Sequence, residues 1–374
     1  MEFGIFVQGH LPGAKAHDTE AEHTALLQEM ELVKAADKYN WKFAWLSEHH
    51  ALAEYSHLSC NEAHAAYLAA CTQRIHIGSG IFNLSPRVNN PVKTAEKVAT
   101  LDHLTNRRFE FGTGRGAGSW EVGTFNLETS QTKEVWDEVI WEFKKMWESR
   151  EYSFDGKFFQ TPPRNILPKP YGGGTTHPPM WVAAGNPPTF EKAARHGMGV
   201  LGFNVEAAHA MKDRVDAYRA VIKDATPVGQ YVNNNVMISS SMLCLEDGKR
   251  ARQVMADSFM SYFFSLLFLY HDTFPLPEGA VRWPAVLPEP GLEGVEAMIE
   301  SGMIVCGDPH EVKQQLEAFE YIGIDQLVFG GPNGIPFDVQ RESIELFARE
   351  VMPHFDKNPG VWRSTQMRQG AVVS

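Results

Sequence analysis

Trp45-Leu46-Ser47-Glu48-His49-His50 ends an apolar run, Phe43-Ala44-Trp45-Leu46, on an acid and two adjacent histidines. A buried strand of a parallel α/β protein closes in this way, its last residues pushed out at the carboxyl edge where ligands bind. Histidines at such an edge change charge near neutral pH, and a neighbouring carboxylate can hold one ring in a single tautomer. The catalytic candidates are therefore His49, with Glu48 to orient it, and His50 beside it. For His50 a second reading stands open, as a satisfied core histidine.

Working outward, Phe3 to Val7 reads as a first buried strand, and residues 19–39 carry helical periodicity through Leu26, Leu27, Met30, Leu32, Val33 and Ala36. After the histidines come a helix from Glu62 to Cys71 and a strand from Ile75 to Ile81. A helix from Val92 to Leu104, opened by Pro91, leads to a strand from Arg108 to Gly112. Four strand–helix alternations in about 115 residues imply right-handed βα units and a parallel sheet. One amphipathic helix follows over 132–148, then strands over 179–185, 197–202, 235–245 and 324–329.

Eight candidate strands predict an α/β fold, a TIM (β/α) eight-stranded barrel, in a single domain over residues 1–356. Two insertions interrupt it. Residues 150–178 read as a hairpin-like excursion or extended loop. Residues 258–303 open on the aromatic run Tyr262 to Tyr270 and continue through several prolines. Such a segment is either a lid or channel wall, with Phe263, Phe264 and Phe268 over an apolar substrate, or a helix packed outside the barrel. Residues 357–374 are expected to be a flexible C-terminal tail.

Composition narrows the partners. With 43% hydrophobic residues the chain can bury a large core, and a formal charge of −12 argues against nucleic acid or an anionic membrane. Cys60, Cys71, Cys244 and Cys306 are scattered, which favours free thiols in a reducing, cytoplasmic setting. The opening Met1 to Val7 is too short and too acidic for a signal peptide, and no apolar run is long enough to span a bilayer. His49, His50, His57 and His64 match no standard ligand spacing, so no metal is expected.

Two further stretches carry chemistry. Phe111-Gly112-Thr113-Gly114-Arg115-Gly116-Ala117-Gly118 places four glycines around one arginine directly after a strand. Glycines let backbone approach a ligand, and a guanidinium grips phosphate by a forked contact; many such loops are only tight turns. Ala183-Ala184-Gly185-Asn186-Pro187-Pro188-Thr189 joins a strand to a helix, and reads either as an anion site of free backbone N–H groups or as an ordinary helix start. In a barrel these loops and the His49 loop open on one face. A flavin mononucleotide fits that span, its phosphate at Arg115 and its reactive end near His49 and His50.

Several of these stretches together resemble the bacterial-luciferase-like flavin monooxygenases. They are Phe3-Gly4-Ile5-Phe6, Trp45 to His50, Asn106 to Gly116, Val182 to Gly185 with Thr189 and Ala193-Ala194, and Gly307-Asp308-Pro309. The resemblance runs in order from about residue 2 to 355. It implies a TIM barrel, FMN supplied reduced by a separate flavin reductase, and molecular oxygen as co-substrate, attacking at the flavin C4a carbon. It implies that Arg115 binds the flavin phosphate, helped by backbone groups of Ala184 and Gly185 and by Thr189. It makes His49 the catalytic histidine, with Glu48 and His50 as neighbours. Gly80 and Ile81 would lie behind the isoalloxazine, joined by a non-prolyl cis peptide. Helices over 60–71 and 92–104 would form a homodimer interface. The implied reaction is oxygenation of a small apolar organic molecule. Departures bear on the substrate: Gly114 stands where luciferase has a reactive cysteine, the loop Asn83 to Asn90 is longer, and Asn186-Pro187-Pro188 replaces an acidic-serine run. Light emission and a long-chain aldehyde are therefore not implied. A deazaflavin-dependent hydride-transfer oxidoreductase and a non-catalytic FMN-binding flavoprotein stay open as alternatives.

Overall fold

Strands buried on both faces read as largely apolar runs, and eight buried strands here close on one another. They are β1 Glu2–Val7, β2 Phe43–Leu46, β3 His76–Ser79, β4 Phe109–Gly114, β5 Met180–Ala184, β6 Gly199–Phe203, β7 Val236–Cys244 and β8 Gln326–Gly330. Each pairs in parallel with the next, and β8 returns to β1 through Gly4↔Val328 while Gly4 also faces Phe43 of β2. The result is the predicted closed parallel barrel surrounded by helices, as seen in a computed structural model that describes residues 1–204, 208–257, 265, 269–270, 291–330 and 334–373.

Alternation along the strands sorts two cores. Phe43, Trp45, Trp181, Leu201, Met237 and Val328 form a cluster of their own inside the barrel. Phe3, Ile5, Ala44, Leu46, Ile77 and Phe111 belong to the larger core under the helices. Two indoles fit inside because glycines face them: a Cβ on Gly78 would overlap the Trp45 ring, and one on Gly199 the Trp181 ring.

Helix ends are marked chemically. Asp18 caps Thr19–Lys38 by accepting from the Glu20 and Ala21 amides, and Asn90 caps Pro91–Leu104, with proline in the first turn. Asp308 and Glu311 form a capping box on Pro309–Ile322, which stops at Gly323 with φ 81°.

Several expectations change. The helix read over 132–148 is two, Thr129–Val139 and Glu142–Glu148. No proline or glycine marks the break, and both pieces bury one apolar face, so periodicity runs through it. A strand absent from the sequence reading, Ile304–Gly307, pairs with the second half of β7, from Ser241↔Ile304 to Cys244↔Gly307. β7 has nine residues and runs past its barrel neighbour β8, leaving an edge that the extra strand covers. The 150–178 excursion contains an antiparallel hairpin, Tyr152–Asp155 with Gln160–Arg164. The lid residues Phe263, Phe264 and Phe268 lie outside the described residues.

The expected flexible tail is a docked helix, Arg363–Val373. Trp362 stacks on His76 at 5.2 Å and donates from its indole to Lys42 O, and Ser364 Oγ donates to Glu110. Arg368, only 2% exposed, forms a bidentate pair with buried Asp102 at 2.7 and 2.7 Å. The segment seals the amino-terminal end of the barrel, and the acid that receives Arg368 lies 266 residues away in the chain. No helix among the described residues is long and apolar enough to cross a membrane.

Candidate active site

The site begins where β2 stops. Glu48, only 3% exposed, turns back into the protein. Its Oε1 accepts from the Asn83 amide at 3.2 Å and from Asn89 Nδ2 at 2.9 Å, and lies 3.4 Å from His50 Nε2. Burial opposes charge on His50, but the hydrogen bond and charge of Glu48, with the charge of Glu121, outweigh it and raise the His50 pKa above its ordinary value. The His50 ring meets Phe125 edge-on at 5.0 Å. Glu48 therefore clamps the loop after β3 and holds His50; it does not orient His49.

The carboxylate at His49 belongs to Glu121, on the short helix Ser119–Gly123. Its Oε1 is 3.1 Å from His49 Nδ1 and accepts the His50 backbone N–H at 2.9 Å. Its Oε2 accepts the Ala117 N–H at 2.5 Å. Burial alone would push this carboxyl up; the charge and hydrogen bond of His49, with the two backbone amides, hold it below its ordinary value. Tyr55 meets the His49 ring edge-on at 4.8 Å. Sequence reasoning missed Glu121. The available signal was an acid between two apolar residues, Trp120 and Val122, directly after the glycine loop.

Close approach explains the glycines of the rim. A Cβ on Gly80 would sit 2.7 Å from Leu46 O, and one on Gly114 would sit 2.6 Å from Ile81 Cδ1. Ile81 thus lies against the end of β4, beside the arginine loop. The Gly80–Ile81 peptide is trans; among the described residues only Leu167–Pro168 is cis. The chain leaves β3 instead through a glycine bend, with the Gly80 amide bonded to Leu46 O at 2.5 Å.

The residues expected around a phosphate come together only in part. Arg115, Thr189, Lys133 and Lys192 line one cleft, walled by Val182 and Ala183. Ala184 instead turns into the outer core, and neither it nor Gly185 lines the cleft. Helix Pro187–Arg195 offers no free amide in its first turn: two prolines carry no N–H, and Asn186 takes the Thr189 amide at 3.1 Å and the Thr189 hydroxyl at 2.8 Å. The first turn of that helix therefore supplies no free N–H, and side-chain cations line the cleft. Lys192 contacts Asp137 and lies 4.7 Å over the Trp136 ring. Burial, then the charges of Lys133 and Arg115, lower its pKa to about 8. Arg115 has no carboxylate partner among the described residues, and burial lowers its pKa.

Both groups open on one rim, because β2 and β4 run parallel and Glu121 joins their loops. His57 and His64 are engaged elsewhere, with Glu22 at 2.6 Å and with Cys60 O at 3.0 Å. Among the described residues no group of three His, Cys, Asp or Glu could hold a metal.

A profile of the luciferase-like monooxygenases matches residues 1–326. The chain belongs to that family. The chain is 26% identical over 368 residues to the oxygenase component of a flavin-dependent trigonelline monooxygenase from Acinetobacter baylyi, covering 96% of each chain. It is 23% identical over 350 residues to an F420-dependent glucose-6-phosphate dehydrogenase from Nocardia farcinica, covering 89% of this chain and 95% of the relative. It superposes on the FMN-bound oxygenating constituent of 3,6-diketocamphane monooxygenase from Pseudomonas putida with a TM-score of 0.72 and 18% identity, over 94% of this chain and 98% of that one. Membership makes the protein an oxidoreductase. The rim fits a flavin by its donor chemistry: three cations in one cleft against a single acid, Asp137, call for an anion such as a phosphate monoester.

Proposed function

We propose that the protein is a flavin-dependent monooxygenase that uses reduced FMN and molecular oxygen to oxygenate a small apolar organic substrate in the cytoplasm. The observation that carries this reading is the cationic cleft at Arg115 on the same rim as His49, with Glu121 between them. Reduced FMN, when bound, supplies the two electrons that let one oxygen atom enter the substrate while the other leaves as water. Arg115, Lys133 and Lys192 hold the phosphate, and Thr189 lines its seat. Gly80 lets the chain bend so that Ile81 backs the ring system. His49 donates from Nδ1 to the Glu121 carboxylate, so proton exchange with a reacting group falls to Nε2, on the other side of the ring. Glu48, 3.4 Å from His50 Nε2, favours the charged form of that ring beside it.

A separate flavin reductase as partner is supported by the Acinetobacter relative, which is named as an oxygenase component. A homodimer is proposed through helices Asn61–Cys71 and Pro91–Leu104, which pack on each other and leave Tyr67 and Leu104 exposed.

A second reading is favoured by the Nocardia relative: hydride transfer with a deazaflavin and no oxygen. Reconstitution with reduced FMN and with a reduced deazaflavin, followed by absorbance and oxygen uptake over a panel of apolar carbonyl compounds, separates the two. Saturable FMN with substrate-dependent oxygen uptake is expected. Deazaflavin bound in preference to FMN, without oxygen uptake, would overturn the proposal. Tight FMN without oxygen uptake on any substrate would leave a flavin-binding protein.

A further inference from the structure

One buried carboxylate at the rim bonds three donors on two loops. Glu121, 1% exposed, takes the Ala117 N–H of the arginine loop on Oε2. On Oε1 it takes the His50 backbone N–H and meets His49 Nδ1. The loop is shaped to present its amide. Gly116 adopts φ 92°, and a Cβ there would sit 3.0 Å from Glu121 Oε2 and 2.8 Å from Val122 Cγ1. Gly118, at φ 153°, starts the helix that carries the acid.

We infer that Glu121 is a positioning residue that couples the Arg115 loop to His49, so that occupation of the phosphate cleft sets the orientation of the catalytic imidazole. The inference rests on the reading of that cleft as a phosphate seat. A charged carboxylate in a dry site makes strong hydrogen bonds, and losing one leaves charge underpaired. When an anion pulls on Arg115 in the cleft, the Ala117 amide two residues on shifts with it. Glu121 follows, and His49 with it. Coupling of this kind is reciprocal, so the imidazole in turn biases the anion seat. Its use is mutual support: a seated phosphate steadies the histidine's orientation, and the oriented histidine steadies the phosphate loop. Glu121 touches no reacting atom and lines no part of the cleft.

Inorganic phosphate is the probe, because it carries the cofactor's anionic end without its ring system, and His49 does not line the cleft. The full-length protein is labelled in its histidine and arginine side chains, with His49 and Arg115 signals assigned by single substitutions. Phosphate titration should move the Arg115 guanidinium signal saturably and the His49 ring signal with the same midpoint. In Glu121→Gln, which keeps the side chain's span, Arg115 should still respond while the His49 shift is lost. Glu121→Asp, too short to span both loops, should lose it too. An Arg115 response in the wild type with no His49 shift overturns the coupling and leaves the phosphate seat standing. A His49 shift that persists undiminished in Glu121→Gln also overturns it. No Arg115 response in the wild type overturns the phosphate seat itself, and the coupling with it.

Discussion

Arg115 stands at the rim with no acid to answer its charge among the described residues, in a cleft that already holds Lys133 and Lys192. Cations gathered in one cleft mark a candidate anion site. Arg115→Ala should weaken FMN by about 1.5–3 kcal/mol, roughly ten- to a hundredfold in Kd, measured by quenching of flavin fluorescence. A wild-type Kd in the variant would remove Arg115 from the site. His177 shows the opposite economy of charge. It is buried, with Nδ1 on Pro178 O at 2.8 Å and Nε2 accepting the Gln230 N–H at 2.8 Å. That arrangement admits only the neutral ring, and burial lowers its pKa to about 4. The unfolded ring titrates near 6.5, so as pH falls from 6.5 towards 4 the unfolded state gains a proton that the folded state refuses. Stability from this site is complete above 6.5 and is lost on the acid side, by about 1.4 kcal/mol per pH unit. Urea denaturation of wild type and His177→Gln across that range should show the stability gap shrinking as pH falls; a constant gap would mean that the ring is not held neutral.

At the scale of elements, the C-terminal helix Arg363–Val373 is the part whose role is most exposed to test. It contributes a wall of the barrel floor and a cation whose acid, Asp102, also accepts the Tyr171 N–H at 2.9 Å. Removing one member of a buried pair leaves the other uncompensated. Arg368→Met should destabilise the fold by about 3–5 kcal/mol in chemical denaturation, and adding Asp102→Asn should restore part of that loss. If the single variant melts like the wild type, the helix is not a structural plug. The strands were legible for a simple reason. Each is mostly buried, so apolar residues dominate it, and its end is marked by glycine or a polar residue, as at Leu46-Ser47. The strand Ile304–Gly307 and the terminal helix were not legible, because each depends on a distant partner: the overhang of β7 for one, Asp102 and Glu110 for the other.

For the molecule as a whole, the proposed homodimer puts Tyr67 and Leu104, 47% and 56% exposed, at its interface. Tyr67→Glu with Leu104→Glu should shift sedimentation from dimer to monomer without altering the helical circular-dichroism signal. A dimer that survives both charges would move the interface elsewhere.

What the chain alone determined is the barrel, its polarity and the two loops that matter, since these follow from local burial and from the parallel strands that local burial implies. It placed Arg115, Thr189 and His49 on one rim because parallel strands all end at the same edge. Which acid serves which histidine, which cations complete the phosphate seat and what closes the barrel floor were decided only by the tertiary structure. In one dimension the adjacent Glu48 reads as the partner of His49; loop geometry assigns it to His50 and gives Glu121 to His49. A side chain's neighbours across the fold depend on how distant loops cross, and a linear pattern carries no record of that crossing.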